Sequence, residues 1–275
     1  LVTLSAFADE ISPDLEVQLD VLASEGISHL EFRGVWGKNV LKLTDEEIAK
    51  VKERLDARGF KLSSIGSPIG KIKITDSFEP HLEEFKRAIY LAKYFGAPNI
   101  RLFSFFLPEG EDPSAYRDEV LSRMKQLVTL AEQEGVQLLH ENEKDIYGDI
   151  SERCLDIVQS CDSPNLRCAF DPANFVQCGV RPMTEAHPLL APYITYYHIK
   201  DALMESRKVV PAGEGDGQLQ ELISVLKKQG FGGFLSLEPH LSSAEAFKGF
   251  SGPGAFVLAV RALKKLLVEA KLEWN

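Results

Sequence analysis

The sequence has no apolar run approaching the ~20 residues that cross a bilayer, and its start carries no basic region leading into an apolar segment. It is therefore read as cytoplasmic, with no membrane partner. Excess base is also missing: 31 Lys and Arg stand against 41 Asp and Glu, a net charge of −10. Phosphate-backbone binding relies on clustered positive charge, so no nucleic-acid partner is expected. Cysteine is sparse, and Cys154, Cys161, Cys168 and Cys178 include no Cys-x-x-Cys pair, which argues against a zinc knuckle or a thioredoxin-type motif. Buried free thiols in a reducing compartment are the simplest account. No Gly-x-Gly-x-x-Gly turn follows the first strand; Phe7-Ala8-Asp9-Glu10 stands in its place and speaks against an open dinucleotide-binding sheet. The Gly-rich stretch Gly213 to Gly217 is acidic and lacks the Lys-Ser/Thr ending of a phosphate-cradling loop.

What is present is ordinary globular composition, 44% hydrophobic and 26% charged, arranged in a repeating pattern. Val2 to Ala8 reads as a strand, and Ser12-Pro13 as a helix start, with Ser as N-cap. Leu15, Leu19 and Leu22 give that helix its apolar stripe, and the strand Ser28 to Arg33 follows Gly26. A capping box at Thr44 and Glu47 opens a second helix, which Gly59 closes before the strand Lys61 to Ile65. The pattern continues through strands at Asn99 to Phe105, Val136 to Glu143, Leu166 to Asp171, Ile194 to His198 and Phe234 to Glu238. Strict alternation implies parallel strands with right-handed crossovers. Eight strands at this spacing suit a (β/α)8 TIM barrel occupying 1–275 as one domain better than an open sheet.

Four of these strands are apolar runs that stop at a charged or ionisable residue: Glu141, Asp171, His198 and Glu238. At the C-terminal face of a barrel such residues converge, and acids seldom cluster at a buried sheet edge without a counter-charge. Alternation along each strand puts Glu141 on the lumen with Leu139, His198 with Tyr196, and Glu238 with Ser236. Three carboxylates and one imidazole predict a site for one divalent cation. Mn²⁺ and Mg²⁺ are favoured by ligand hardness, Zn²⁺ and Co²⁺ are the alternatives, and Mn²⁺ is the first choice.

Lys200 shares lumen parity with His198 and is a candidate for holding an oxyanion or phosphate; the bland reading pairs it with Asp201 or Glu238. Glu31 and Arg33, at the end of the second strand, are candidates for binding substrate hydroxyls. The Gly213 to Gly217 turn is expected to bring Glu214 near the pocket, and Trp36 and Phe103 are candidates for an apolar wall. Lys71 and Lys73 lie on the loop after the third strand, to meet a phosphate or only solvent. His29, His81 and His187 read as structural or solvated, with His81 on a helix surface. His140 should face away from Glu141, and His240 falls in a loop beyond Pro239.

Glu141-Asn142, Phe170-Asp171-Pro172-Ala173-Asn174, His198-Ile199-Lys200-Asp201, Gly213-Glu214-Gly215-Asp216-Gly217 and Leu237-Glu238-Pro239 together resemble the sugar phosphate isomerase/epimerase branch of the xylose isomerase-like TIM barrels. That superfamily also holds endonuclease IV, tagatose and psicose 3-epimerases, hydroxypyruvate isomerases, inosose dehydratases and dehydroshikimate dehydratases. The resemblance implies Glu141, Asp171, His198 and Glu238 as metal ligands and Glu141 with Glu238 as the acid/base pair. It adds Asn174 to the substrate-binding candidates. It also implies a sugar or sugar-phosphate isomerase or epimerase working through an enediolate, with a homodimer or homotetramer as the assembly to expect, for which Trp36 is an interface candidate. A dehydratase of the inosose or dehydroshikimate type is the nearest alternative. An abasic-site endonuclease is disfavoured by the acidic charge and the scarcity of histidine, and a non-catalytic sugar-binding role is the third reading.

Overall fold

A computed structural model describes residues 1–241 and 251–275. Its centre is a closed parallel barrel of β1 (Thr3–Ala6), β2 (His29–Phe32), β3 (Lys61–Ile65), β4 (Asn99–Leu102), β5 (Gln137–Glu141), β6 (Leu166–Phe170), β7 (Ile194–Ile199) and β8 (Phe234–Leu237), with β8 paired to β1. Around it lie α1 (Leu15–Ser24), α2 (Asp45–Ala57), α3 (Glu79–Phe95), α4 (Arg117–Glu134), α5 (Ser151–Cys161), α6 (Pro172–Gln177), α7 (Leu219–Gln229) and α8 (Gly252–Ala270). This is the TIM-barrel arrangement that the alternation predicts. No helix among the described residues is long and apolar enough to cross a membrane.

The helices form where the apolar periodicity places them, and local chemistry sets their ends. Thr44 and Glu47 make the expected capping box, with both reciprocal bonds present. Gly96, Gly135 and Gly230 end α3, α4 and α7 in the left-handed conformation. The start of α1 differs from the expected Ser12 cap. Asp14 is the N-cap, its carboxylate accepting from Val17 N at 3.0 Å, while the Ser12 hydroxyl accepts from Asp14 N, leaving Pro13 outside the helix. A carboxylate at the helix's positive end outcompetes a hydroxyl two residues upstream. The thiols also depart in part from expectation: Cys154 and Cys168 are buried, whereas Cys161 and Cys178 are only half-buried.

Two side-chain systems separate at the barrel wall. Outward residues pack against the helices in one large core, while Leu139, Ala169 and Tyr196 fill the lumen below the strand ends, with Phe234 against them. Register carries this layering upward. Phe234 lies opposite Tyr196 and Ser236 opposite His198, so the lumen changes from apolar to polar within one residue pair along β7 and β8. The β2–β3 pairing shifts register between Leu30 and Glu31. The extra residue is Ser63 of β3, so the bulge lies in that strand while β2 alternates regularly.

His81 is not on a helix surface. It is buried, and its Nε2 accepts the Gly70 N–H at 2.7 Å, fixing the loop after β3 against α3. Gly70 has φ +88°, and a Cβ there would lie 2.0 Å from the Phe103 carbonyl oxygen. Both the conformation and the approach to the chain after β4 require glycine. Gly70→Ala is expected to destabilise the fold by roughly 2–4 kcal/mol, read from chemical denaturation; a change within experimental error would mean the loop relaxes freely.

Candidate metal centre

The barrel assembles its polar end from residues far apart in sequence. Glu141 is the last residue of β5, Asp171 directly follows β6, His198 lies in β7, and Glu238 directly follows β8. One donor atom from each lies within 4.8 Å of those of the others, and all four residues are buried. Asp171 is fixed by two uses of its local sequence. Its Oδ1 caps α6 by accepting from Asn174 N at 2.9 Å, with Pro172 at the first helical position, which leaves Oδ2 turned toward the group. Asn142 ties the ends of β5 and β6 together, donating to Asp171 O and accepting from Asp171 N, each at 2.9 Å. The Asn174 amide donates to Glu141 Oε1 at 3.2 Å and to Asn142 O at 2.9 Å.

Fixed cations balance part of the charge. Lys200 Nζ lies 2.9 Å from both Asp171 Oδ2 and Glu238 Oε2. Arg101 Nη1 donates to Glu141 Oε2 at 3.1 Å and lies 4.0 Å from Glu238 Oε1. Arg33 is a fork with three acid partners: Nε on Asp9 at 2.8 Å, Nη2 on Glu10 at 2.9 Å and Nη1 on Glu238 at 2.5 Å. His240 reaches Glu10 with Nδ1 at 2.8 Å and Glu238 with Nε2 at 3.3 Å. Burial works to raise the Glu141 pKa, but His198 and Arg101 outweigh it and hold the carboxyl down to about 2. Burial likewise opposes ionisation of Glu238, and Lys200, His240 and Arg33 hold it well below the usual carboxylate range.

The donor set fits a divalent cation on its own chemistry. His198 Nδ1 is buried and makes no aligned hydrogen bond, although Glu141 Oε1 is 3.1 Å away and Asp171 Oδ2 3.8 Å. Asp9, Glu10, Glu31, Glu141, Asp171 and Glu238 face the permanent cations Arg33, Arg101 and Lys200 together with His240, which Glu238 and Glu10 hold positive against its burial, so the acids still outnumber these cations. Oxygen donors with a single imidazole suit a hard or borderline ion. The buried group suggests a divalent-metal site.

The other candidates fall into two classes. Lys200, Arg33 and Asn174 all contact the four-residue group. Glu31 offers substrate no free face: it is fully buried, and Oε2 accepts from Tyr196 OH at 2.9 Å and faces His198 Nε2 at 3.1 Å. Glu214 is exposed instead of turned into the site. The carboxylate organising its loop is Asp201, which accepts backbone N–H groups from Gly213, Gly215 and Gly217 at 2.8–3.0 Å. A Cβ on Gly215 would come within 2.4 Å of Asp201 Oδ1, so the glycines serve close approach to an acid. Trp36 packs against the core, with Lys50 of α2 5.3 Å above its ring. Phe103 is buried under Arg101 and Lys71, and Lys71 also pairs with Glu143 at 3.2 Å. His140 bonds Ser104 Oγ at 2.9 Å, away from the ligand group.

Sequence reasoning missed Arg101, Asp9 and Glu10, and did not assign His240 to the site. Signals for the first three existed. Arg101 interrupts an apolar strand between Ile100 and Leu102, and Asp9-Glu10 follows β1 as acids follow the other strands. His240 has φ +45°, a turn that returns its ring toward Glu10 and Glu238, and nothing in the sequence marks it.

The family model described as Xylose isomerase-like TIM barrel matches residues 19–266. The chain belongs to this family. A curated 3-dehydroshikimate dehydratase from Bacillus anthracis is 24% identical over 174 residues, covering 62% of this chain and 62% of that protein, so the match spans less than two thirds of its length. Among solved structures, a D-tagatose 3-epimerase-like protein is similar with a TM-score of 0.79 at 19% identity, covering 98% of both chains. An IOLI protein with a binding zinc atom is similar with a TM-score of 0.74 at 18% identity, again covering 98% of both chains. At these identities the structural likenesses establish the fold.

Lys200 is the fixed cation most deeply committed to the ligand oxygens. Replacing it with Met in protein kept metal-free by chelator leaves Asp171 and Glu238 buried without their ammonium, and is expected to cost about 3–5 kcal/mol. Denaturant unfolding measures this; a loss below about 1 kcal/mol would place the pair in the weak, solvent-screened class.

Proposed function

We propose that the protein is a metal-dependent sugar or sugar-phosphate isomerase or epimerase that moves a proton at a carbon next to a carbonyl, through an enediolate. The observation carrying this reading is the placement of two glutamates within one cation-binding group. Glu141 and Glu238 come from β5 and β8, which flank the β6 and β7 strands that bring Asp171 and His198. One carboxylate thus stands on each side of the group, as base for one face of a substrate and proton donor for the other. A divalent cation held by Glu141, Asp171, His198 and Glu238, with Mn²⁺ as first choice, supplies electrophilic stabilisation of the substrate's oxygens.

The chain's own residues provide the rest. Asn174, which donates to Glu141, fixes the orientation of that carboxylate. Arg33 does the same for Glu238 and is itself held by Asp9 and Glu10. Lys200 is the buried ammonium nearest the two ligand oxygens of Asp171 and Glu238, and is placed to meet a substrate oxygen that acquires negative charge. A substrate with several adjacent oxygens matches such a surface, and no nucleic-acid backbone is needed to explain its cations, since each is paired with an acid of the site.

The curated dehydratase relative favours a second reading in which the same proton is removed and a hydroxyl then leaves as water. Product mass separates the two, because only the dehydratase product is lighter by one water molecule.

With a ketose that the protein converts, Glu238→Gln is expected to reduce solvent deuterium incorporation by at least about 100-fold. Undiminished exchange would remove Glu238 from proton transfer. Chelation followed by desalting is expected to abolish turnover, and Mn²⁺ to restore it; full activity of protein shown by elemental analysis to be metal-free would refute the metal requirement.

A further inference from the structure

Behind His198, on the side away from the other three donors, the lumen contains a polar chain. Ser5 Oγ and Ser63 Oγ are 2.6 Å apart, Ser63 Oγ and Tyr196 OH 2.8 Å, Tyr196 OH donates to Glu31 Oε2 at 2.9 Å, and the same Glu31 oxygen lies 3.1 Å from His198 Nε2. Every residue in it is buried, in a barrel whose lower lumen is filled by Leu139, Ala169 and Tyr196. Burying a carboxylate here is costly unless its partners repay it, and among the described residues Glu31 pairs with no Lys or Arg. Alternation along β2, with Leu30 and Phe32 packed in the outer core, turns Glu31 into the lumen, where it meets the imidazole.

We propose that Glu31, oriented by Tyr196, is a positioning residue that fixes the His198 ring so that Nε2 carries the hydrogen and Nδ1 faces Glu141 and Asp171 as a donor. This rests on the metal-centre reading above and deepens it. Glu31 Oε2 is an acceptor for Tyr196 OH and makes an aligned 3.1 Å contact with Nε2, which donates as Nε2–H, whereas Nδ1 has no aligned hydrogen bond although Glu141 Oε1 is equally close. The other nitrogen is then presented to the oxygens of Glu141 and Asp171, at 3.1 and 3.8 Å. Flipping the ring would give up a buried, charge-assisted hydrogen bond. Edge contacts with Phe7 and Tyr196, at centroid separations of 5.2 and 5.7 Å, also hold the ring plane. A carboxylate behind a ligating imidazole sets its tautomer and strengthens it as a donor, and losing such a partner typically weakens metal binding 10–100-fold. Glu31 therefore acts through His198 and touches no reacting atom.

The test uses the full chain and Mn²⁺ without substrate, titrated calorimetrically after chelator treatment. Glu31→Leu removes the acceptor and is expected to weaken Mn²⁺ binding by about 10–100-fold. Glu31→Gln keeps an oxygen able to accept from Nε2–H and should recover most of that loss. Nitrogen NMR of ¹⁵N-histidine-labelled wild type loaded with Zn²⁺ reads the tautomer directly and needs no variant; the expected signature is hydrogen on Nε2 of His198. Hydrogen on Nδ1, or a folded Glu31→Leu protein that binds Mn²⁺ as tightly as wild type, would overturn the proposal. If wild type binds neither ion, the metal-centre reading falls and takes this inference with it.

Discussion

Repulsion among buried carboxylates is the constraint on which the upper half of this barrel depends. Asp9, Glu10, Glu31, Glu141, Asp171 and Glu238 are all buried, and Glu141, Asp171 and Glu238 present oxygens within 4.8 Å of one another. Like charges at about 4 Å repel by roughly 4 kcal/mol even at an effective dielectric constant of 20. The lumen cannot tolerate this without positive charge interleaved among the acids. Arg33, Arg101 and Lys200 provide it, each paired with Glu141 or Glu238. These side chains are part of the architecture as much as of the proposed chemistry.

The same constraint explains how the strand ends are pinned. A carboxylate that must face a crowded centre needs its other atoms occupied elsewhere. Asp171 spends one oxygen capping α6, Glu141 takes the Asn174 amide, and Glu10 accepts from Arg33 and from Ser251 Oγ at 2.8 Å. Asp201 faces a different task although it adjoins Lys200. Its carboxylate takes three glycine amides and so organises the loop after β7, leaving the ammonium next to it to the ligand oxygens. Adjacent residues at a strand end thus divide between loop and lumen, as alternation along the backbone requires.

Alternation of apolar stripes, caps and strand-end acids was enough to make the barrel legible, because each of those signals is local. Glu141, Asp171, His198 and Glu238 could be grouped in advance for the same reason: each terminates an apolar run, and the barrel brings such ends together. What could not be read depends on side-chain direction and reach. Glu31 shares lumen parity with Arg33 but lies before the last residue of β2, so it meets His198 Nε2 while Arg33 reaches Glu238. Arg101 extends from the neighbouring strand to Glu141, and His240 returns through a left-handed residue after Pro239. Glu214 misled because glycine spacing signals a tight turn without saying which acid the turn encloses. The enclosed acid is Asp201, a dozen residues earlier.

This division between local and long-range information also bears on the choice of reaction. On the proposed reading, epimerisation and dehydration share their first half: a carboxylate removes a proton beside a carbonyl, and a positive environment holds the charge that forms. They separate only in what the second half delivers. A proton returned to carbon requires a donor across the ring or chain of the substrate, a role that on this reading falls to one of Glu141 and Glu238. A proton delivered to a departing hydroxyl requires a donor beside it, and Lys200, held between Asp171 and Glu238, is the buried cation nearest that role. The four-residue group is common to both courses, so motifs that report it specify a cation and remain silent on the product. On that reading, what would separate the two courses is which acid the substrate's oxygens, held near Lys200 and the Arg33 fork, set beside the carbon and which beside the leaving oxygen.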